Sequence, residues 1–332
     1  MEPRDSGFGY PGGQPRSVAE LLPKEEAGHI THRDDSQIGM ALTAALLGEP
    51  VLLCGPKGCG KSAAVASWAA NNRIPTIRVD CHEEMLAGHL DGAIRMDGHK
   101  TWVALGPLVE AAILSQKGKV LLWFEELTAL SPGVQKRLNP IMDQRSSVHV
   151  AALGKTYAVD RGNLLLVATG NPSSYGGTHP MNEDLISRWQ VYDIGWPPEA
   201  REMLILLGAW NDGWREAVAL ELQDTSFEAT RYGDAAMERQ WRKNYPPFQR
   251  VVTGTRTKGT SYALSTRDAA MCVRLWAKLH VKMRGEQDDK SAALAMRGAL
   301  SGLRGKVADD EEALQRLDQA FKAASLAWSP LP

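Results

Sequence analysis

Five short apolar runs punctuate the first two hundred residues. Val51-Leu52-Leu53-Cys54 follows Pro50, and Thr76-Ile77-Arg78-Val79-Asp80 alternates apolar with polar. Lys119 to Phe124 and Asn163 to Thr169 are nearly unbroken in hydrophobicity, and Gln190 to Ile194 closes the series before Trp196-Pro197-Pro198. Each reads as a strand. A continuous apolar run belongs to a strand covered on both faces, as in a parallel sheet. Between the runs, apolar residues recur at helical spacing. Ile38, Met40, Ala41, Ala44, Leu46 and Leu47 predict a helix over 36–47, and Ala63 to Ala69 predicts another directly after the first strand. The fold class is therefore α/β, a five-stranded parallel sheet between two layers of helices.

After Pro198 the strand pattern stops. Arg201 to Leu222 is helical in pattern, and so is Ser265 to Met283, where Ser265 can cap the helix with Asp268 three residues on. A last helix begins near Asp309-Asp310, and its Leu314, Leu317, Phe321, Ala324 and Trp328 form one apolar stripe. The chain thus divides into a tail over 1–18, an αβα domain over 19–198 and a helical domain over 199–332. The tail is rich in Gly, Pro and Arg and reads as flexible. Inside the helical domain, 225–262 reads as an insertion that mixes basic and aromatic residues.

Bulk properties narrow the partners. A chain of 332 residues has room for about two domains with good cores. Its formal net charge of −1 supplies no global field toward nucleic acid or membrane. No apolar run approaches a membrane span, and Met1-Glu2-Pro3-Arg4-Asp5 does not read as a signal peptide. Cys54, Cys59, Cys81 and Cys272 lack metal-ligand spacing, which points to a reduced, cytoplasmic setting.

The chemistry is concentrated at strand ends. Gly55-Pro56-Lys57-Gly58-Cys59-Gly60-Lys61-Ser62 fits the phosphate-binding loop at every position, with a strand before it and a helix after it. Glycines let backbone N–H groups curl around anionic oxygens, and the helix N-terminus adds its dipole. Lys61 suits the β and γ phosphates, and Ser62 suits Mg²⁺. Hydrolysis of ATP on such a loop needs a carboxylate by the metal, a group that polarises water, and positive charge on the γ-phosphate. Glu125 and Glu126 end an apolar strand where those carboxylates belong, Glu125 toward Mg²⁺ and Glu126 toward water. Asn171 ends another strand and can bond the water or the phosphate. Arg188 and Arg267 can each offer a guanidinium. Cys59, in a variable loop position at a helix start, reads as a filler.

The order of these segments resembles an AAA+ ATPase of the MoxR-like group, from about Ile38 to Leu279. Gly106-Pro107-Leu108, Glu125-Glu126-Leu127 with Ser131 to Leu138, Ala168-Thr169-Gly170-Asn171-Pro172, and Gly177 to Trp189 each look like that group's segments. The resemblance implies ATP and Mg²⁺ as cofactors and Asn171 as sensor 1. It also implies Arg188 as a finger offered to a neighbouring subunit and Arg267 as sensor 2. Extra hairpins are expected near 86–103 and 148–159. A homo-oligomeric, often hexameric, ring is implied, with a protein partner that is frequently a von Willebrand factor A-domain protein. One residue departs from the pattern: the strand ends Glu125-Glu126 where the family has Asp-Glu.

Three functions remain open on the sequence. The first is a ring ATPase that remodels or activates a partner complex, including metal-cofactor insertion. The second is a nucleic-acid motor, for which Arg231, Arg239, Arg242, Lys243, Arg250, Arg256 and Lys258 are interleaved with Tyr232, Trp241, Tyr245 and Phe248. The third is a nucleotide-gated regulatory subunit with little turnover.

Overall fold

In the computed structural model, described residues are 15–23, 36–98, 100–143, 145–171, 179–224, 226–256, 263–307 and 310–323. The chain forms two compact units that meet in sequence between Gly195 and Trp196. Among the described residues no helix is long and apolar enough to cross a membrane.

The first unit is built on a parallel sheet. Its strands are β1 (Val51–Cys54), β2 (Thr76–Asp80), β5 (Val120–Glu125), β8 (Leu164–Gly170) and β9 (Gln190–Asp193), in the order β2-β5-β8-β1-β9. The central strands β5, β8 and β1 are buried along almost their whole length, whereas β9 at the edge is largely exposed. Unbroken hydrophobicity and central position thus go together. Helices α1 (Gln37–Leu46), α2 (Lys61–Asn71) and α3 (Pro107–Ser115) accompany the sheet. The core gathers Leu52, Ile77, Leu122, Phe124, Leu166 and Ala168 with Leu108 and Val109 of α3. Two antiparallel hairpins stand apart from the sheet, β3 (Gly92–Asp97) with β4 (Lys100–Leu105) and β6 (Ser147–Val150) with β7 (Lys155–Ala158).

Residues 15–18 depart from the expected tail. Ser17 caps a helical turn over Val18–Leu21. Arg16 donates to both carboxylate oxygens of Glu110, at 2.9 Å from Nε and 2.7 Å from Nη2. Glu110 is buried on α3, so a bidentate partner is what keeps its charge tolerable there. Residues 1–14 of the expected tail lie outside the described residues.

The second unit is helical: α4 (Glu199–Glu221), α5 (Asp234–Thr255), α6 (Thr266–Lys282), α7 (Asp289–Gly305) and α8 (Glu311–Ala323). Ser265 caps α6 as its sequence predicts, accepting from the Asp268 N–H at 3.1 Å. The segment read as an insertion is mostly one 22-residue helix, α5, although Pro246 and Pro247 lie inside it. Burial of its apolar side outweighs the local cost of those prolines. Helix α7 escaped the sequence reading altogether. The C-terminal stripe is realised through Phe321, while Ala324 and Trp328 lie outside the described residues.

Candidate functional site

Strand order brings the candidate residues together. β5, β8 and β1 are neighbours, so the turns that follow them share one edge of the sheet, where ligands of open α/β sheets bind. Cys54 of β1 pairs in register with Gly170 of β8, and Phe124 of β5 pairs with Ala168. The Gly55 loop, Glu125-Glu126 and Asn171 are thereby next to one another in space, although Lys61 and Asn171 lie 110 positions apart in the chain.

The loop is shaped by its backbone. A Cβ on Gly55 would lie 2.0 Å from the Ile194 carbonyl oxygen, so only glycine lets the chain leave β1 beside β9. Gly60 has φ +101°, a left-handed conformation that turns the loop into the first residue of α2, Lys61. Lys57 is exposed on the outside of the turn.

Lys61 is 7% exposed, and its ammonium donates to the Gly55 and Pro56 carbonyls, each at 2.8 Å, and to Asn171 Oδ1 at 3.3 Å. These three acceptors are neutral, so the ammonium keeps its full charge for an anion. Burial pushes its pKa below the ordinary lysine range, opposed by neighbouring Cys59, Cys54 and Glu126. A partly desolvated cation at a helix start is a strong phosphate site.

The Asn171 contact also shows how β8 is tied to the turn after β5. The Asn171 N–H donates to Thr128 Oγ1 at 3.3 Å, and the Glu126 N–H donates to Thr169 Oγ1 at 3.2 Å. Glu126 has φ 56° and ψ 44°, left-handed for a residue with a Cβ. Such strain collects at functional turns. Thr128 and Thr169 were not singled out from the sequence. Their visible signal is a hydroxyl residue in the turn after one apolar strand and another near the end of the second.

Glu125 is placed differently. Its carboxylate pairs with Arg78 of β2. Oε2 is buried and accepts no hydrogen bond of good geometry. Its carboxylate and the Ser62 hydroxyl are the hard oxygen donors that Mg²⁺ prefers, and they fit that metal in kind. Cys59 is buried, and burial raises its thiol against the pull of Lys61, so it is poorly suited to redox chemistry.

The two arginines sit on other elements. Arg188 follows the helical turn Glu183–Ile186 and donates to the Asp184 carbonyl. Arg267 belongs to the second unit, exposed in the first turn of α6. Pro172 to Thr178, between Asn171 and His179, lie outside the described residues.

The basic and aromatic stretch turns out to be core and ion pairs. Tyr232, Trp241 and Phe248 are buried. Tyr245 stacks on Trp241 with centroids 4.7 Å apart and donates to Gln249 Oε1 at 2.9 Å. Arg239 meets Glu286 at 2.6 Å, Arg242 meets Glu238 at 2.5 Å, and Arg231 pairs with Glu228. Arg256 grips buried Glu202 through both oxygens, at 2.7 and 2.9 Å. The buried rings are not available to stack on bases, and these arginines have carboxylate partners within the unit. Lys258 lies outside the described residues.

Residues 50–189 match the family model described as AAA domain (dynein-related subfamily). Protein NorQ of Paracoccus denitrificans is 29% identical over 157 residues, covering 47% of this chain and 56% of that protein. The denitrification regulatory protein NirQ of Stutzerimonas stutzeri is 28% identical over 159 residues, covering 48% and 56%. Protein CbbQ of Hydrogenophilus thermoluteolus is 25% identical over 181 residues, covering 54% and 65%. The chain thus spans between about half and two thirds of these curated relatives.

Proposed function

We propose that the chain is a MoxR-like AAA+ ATPase, with residues 50–189 as its AAA domain, and that it binds and hydrolyses ATP with Mg²⁺ to remodel or activate a partner protein complex. The observation that carries the reading is the Lys61 ammonium, buried at the start of α2 and held between the loop carbonyls and Asn171. Gly55 to Ser62 would cradle the phosphates, with Lys61 on the β and γ groups. Ser62 and Glu125 would hold Mg²⁺, which supplies charge neutralisation of the phosphates. Glu126 would accept a proton from the attacking water, and Asn171 would orient that water against the γ-phosphate.

Arg188 supports an oligomeric reading, since among the described residues its bond stays within its own turn, to the Asp184 carbonyl. It would serve as a finger to the next subunit, and Arg267 as sensor 2, within a ring such as a hexamer. The name of the relative NirQ, a denitrification regulatory protein, fits an ATPase that acts on another protein system. A von Willebrand factor A-domain protein is the partner class the family implies, with metal-cofactor insertion as one outcome, in the cytoplasm.

Phosphate release from ATP, measured on the oligomer with its partner, tests this. Glu126→Gln should lower turnover by about 10²-fold or more while leaving ATP bound. Arg188→Ala should lower it by about 10³-fold. Wild-type turnover no higher than that of Glu126→Gln would remove the hydrolysis. The Arg78–Glu125 pair favours one second reading, a nucleotide-gated regulatory subunit of low turnover, which that result would support.

A further inference from the structure

Among the described residues, Arg78 is the charged group that the structure joins to the Glu125 carboxylate. The geometry follows from register. Asp80 pairs with Glu125 across β2 and β5, and Arg78 pairs with Trp123. Alternation along parallel strands puts all four side chains on the same face. The Arg78 guanidinium lies 4.9 Å from the Trp123 ring centroid, donates from Nε to Asp80 Oδ1 at 2.7 Å, and meets Glu125 Oε2 through Nη2. Arg78 is thus shared between two carboxylates, one at each strand end.

Exposure differs along this group. The Glu125 side chain is 16% exposed, that of Arg78 is 51% exposed, and that of Asp80 is 72% exposed. A half-exposed guanidinium stacked on an indole can leave one carboxylate at little cost, because water and Asp80 receive it. Glutamate is the side chain that makes the contact possible. Arg78 sits two residues back on the neighbouring strand, and an aspartate at position 125 would end one methylene short of that diagonal.

We propose that Arg78 is a competing counter-ion for Glu125, so that a divalent cation loads beside the nucleotide only as Arg78 transfers from Glu125 to Asp80. This rests on the nucleotide reading above and adds a control to it. Arg78 is a positioning residue: it acts through Glu125 and touches no phosphate. A dication and a guanidinium repel each other, and they draw on one carboxylate. Binding of the metal and retention of the Arg78 contact therefore oppose one another by linkage.

The test is binding of a fluorescent N-methylanthraniloyl ATP to the full chain, in EDTA and across a Mg²⁺ titration. Arg78→Met keeps an apolar stem over Trp123 and removes the charge. It should lower the Mg²⁺ concentration for half-maximal effect by about fivefold to tenfold and leave affinity in EDTA within about twofold. Arg78→Gln, uncharged and polar, should do the same, so the result does not hang on one variant's folding. In a Glu125→Asp background, where the carboxylate no longer reaches Arg78, Arg78→Met should shift the midpoint by less than about twofold. Superimposed Mg²⁺ curves for wild type and both Arg78 variants would overturn the proposal, as would a raised Mg²⁺ requirement. The EDTA arm separates the two claims. A wild type that binds no analogue in either condition removes the nucleotide reading itself, and Arg78 with it.

Discussion

Two stretches of this chain look functional by composition, and the structure treats them in opposite ways. Residues 55–62 keep a buried lysine bonded to neutral oxygens, with its charge open to an anion. Residues 231–256 hold more positive charge and more aromatic rings, yet the rings fill the core of the second unit and the described ion pairs spend arginine on glutamate. The difference lies in what neutralises each cation. Among the described residues no carboxylate hydrogen-bonds Lys61, whereas Arg256 has both oxygens of Glu202. Charge density in sequence says little until the counter-charges are placed.

The contrast can be pressed hardest at Arg256. Arg256→Ala leaves Glu202, only 2% exposed, without its main cation. The loss of stability should be about 3–5 kcal/mol by chemical denaturation. A loss under about 1 kcal/mol would mean that Arg256 is a free surface cation after all. Next in size is Gly55→Ala, whose Cβ must push against the Ile194 backbone. It should cost about 2–3 kcal/mol in the first unit, with ATP binding lost as well. Unchanged stability would show that the loop does not need this close passage beside β9.

His280 gives a smaller effect with a definite sign. It is 1% exposed, stacks on Trp214 and meets Glu286 Oε1 at 3.0 Å. Burial lowers its pKa from the ordinary 6.5, with Glu286 opposing. The unfolded chain therefore takes the proton first. The histidine's contribution is full above the unfolded value and is lost as pH falls through the folded one. The unfolding midpoint should drop more steeply between about pH 7 and 5 in wild type than in His280→Gln. Equal slopes would contradict this. Smallest of all is Arg242→Ala, an exposed pair partner of Glu238, which should change stability by under about 0.5 kcal/mol. A larger loss would show that even the exposed end of this stretch is structural.

Much of the fold was legible because β5 and β8 are continuous apolar runs that only a sheet covered on both faces can bury. The candidate site was legible because its parts sit where those runs end. What escaped notice depends on side chains meeting across elements. Arg16 with Glu110, Arg78 with Glu125 and Arg256 with Glu202 are 94, 47 and 54 positions apart, and no local pattern links them. Helix α5 was obscured by Pro246-Pro247, since local rules stop a helix there while the burial of Trp241 and Phe248 carries it through. Helix α7 carries small residues, Ala292, Ala293, Ala295, Gly298 and Ala299, so its buried face gives a weak apolar rhythm.

The account turns on Lys61 as the cation that receives phosphate. Calorimetric titration of ATP with Mg²⁺ into wild type and Lys61→Ala tests it directly. Wild type should bind one ATP per chain, and Lys61→Ala should lose at least about tenfold in affinity, since a charge-assisted bond to phosphate is removed. Equal affinity in the two proteins would contradict it.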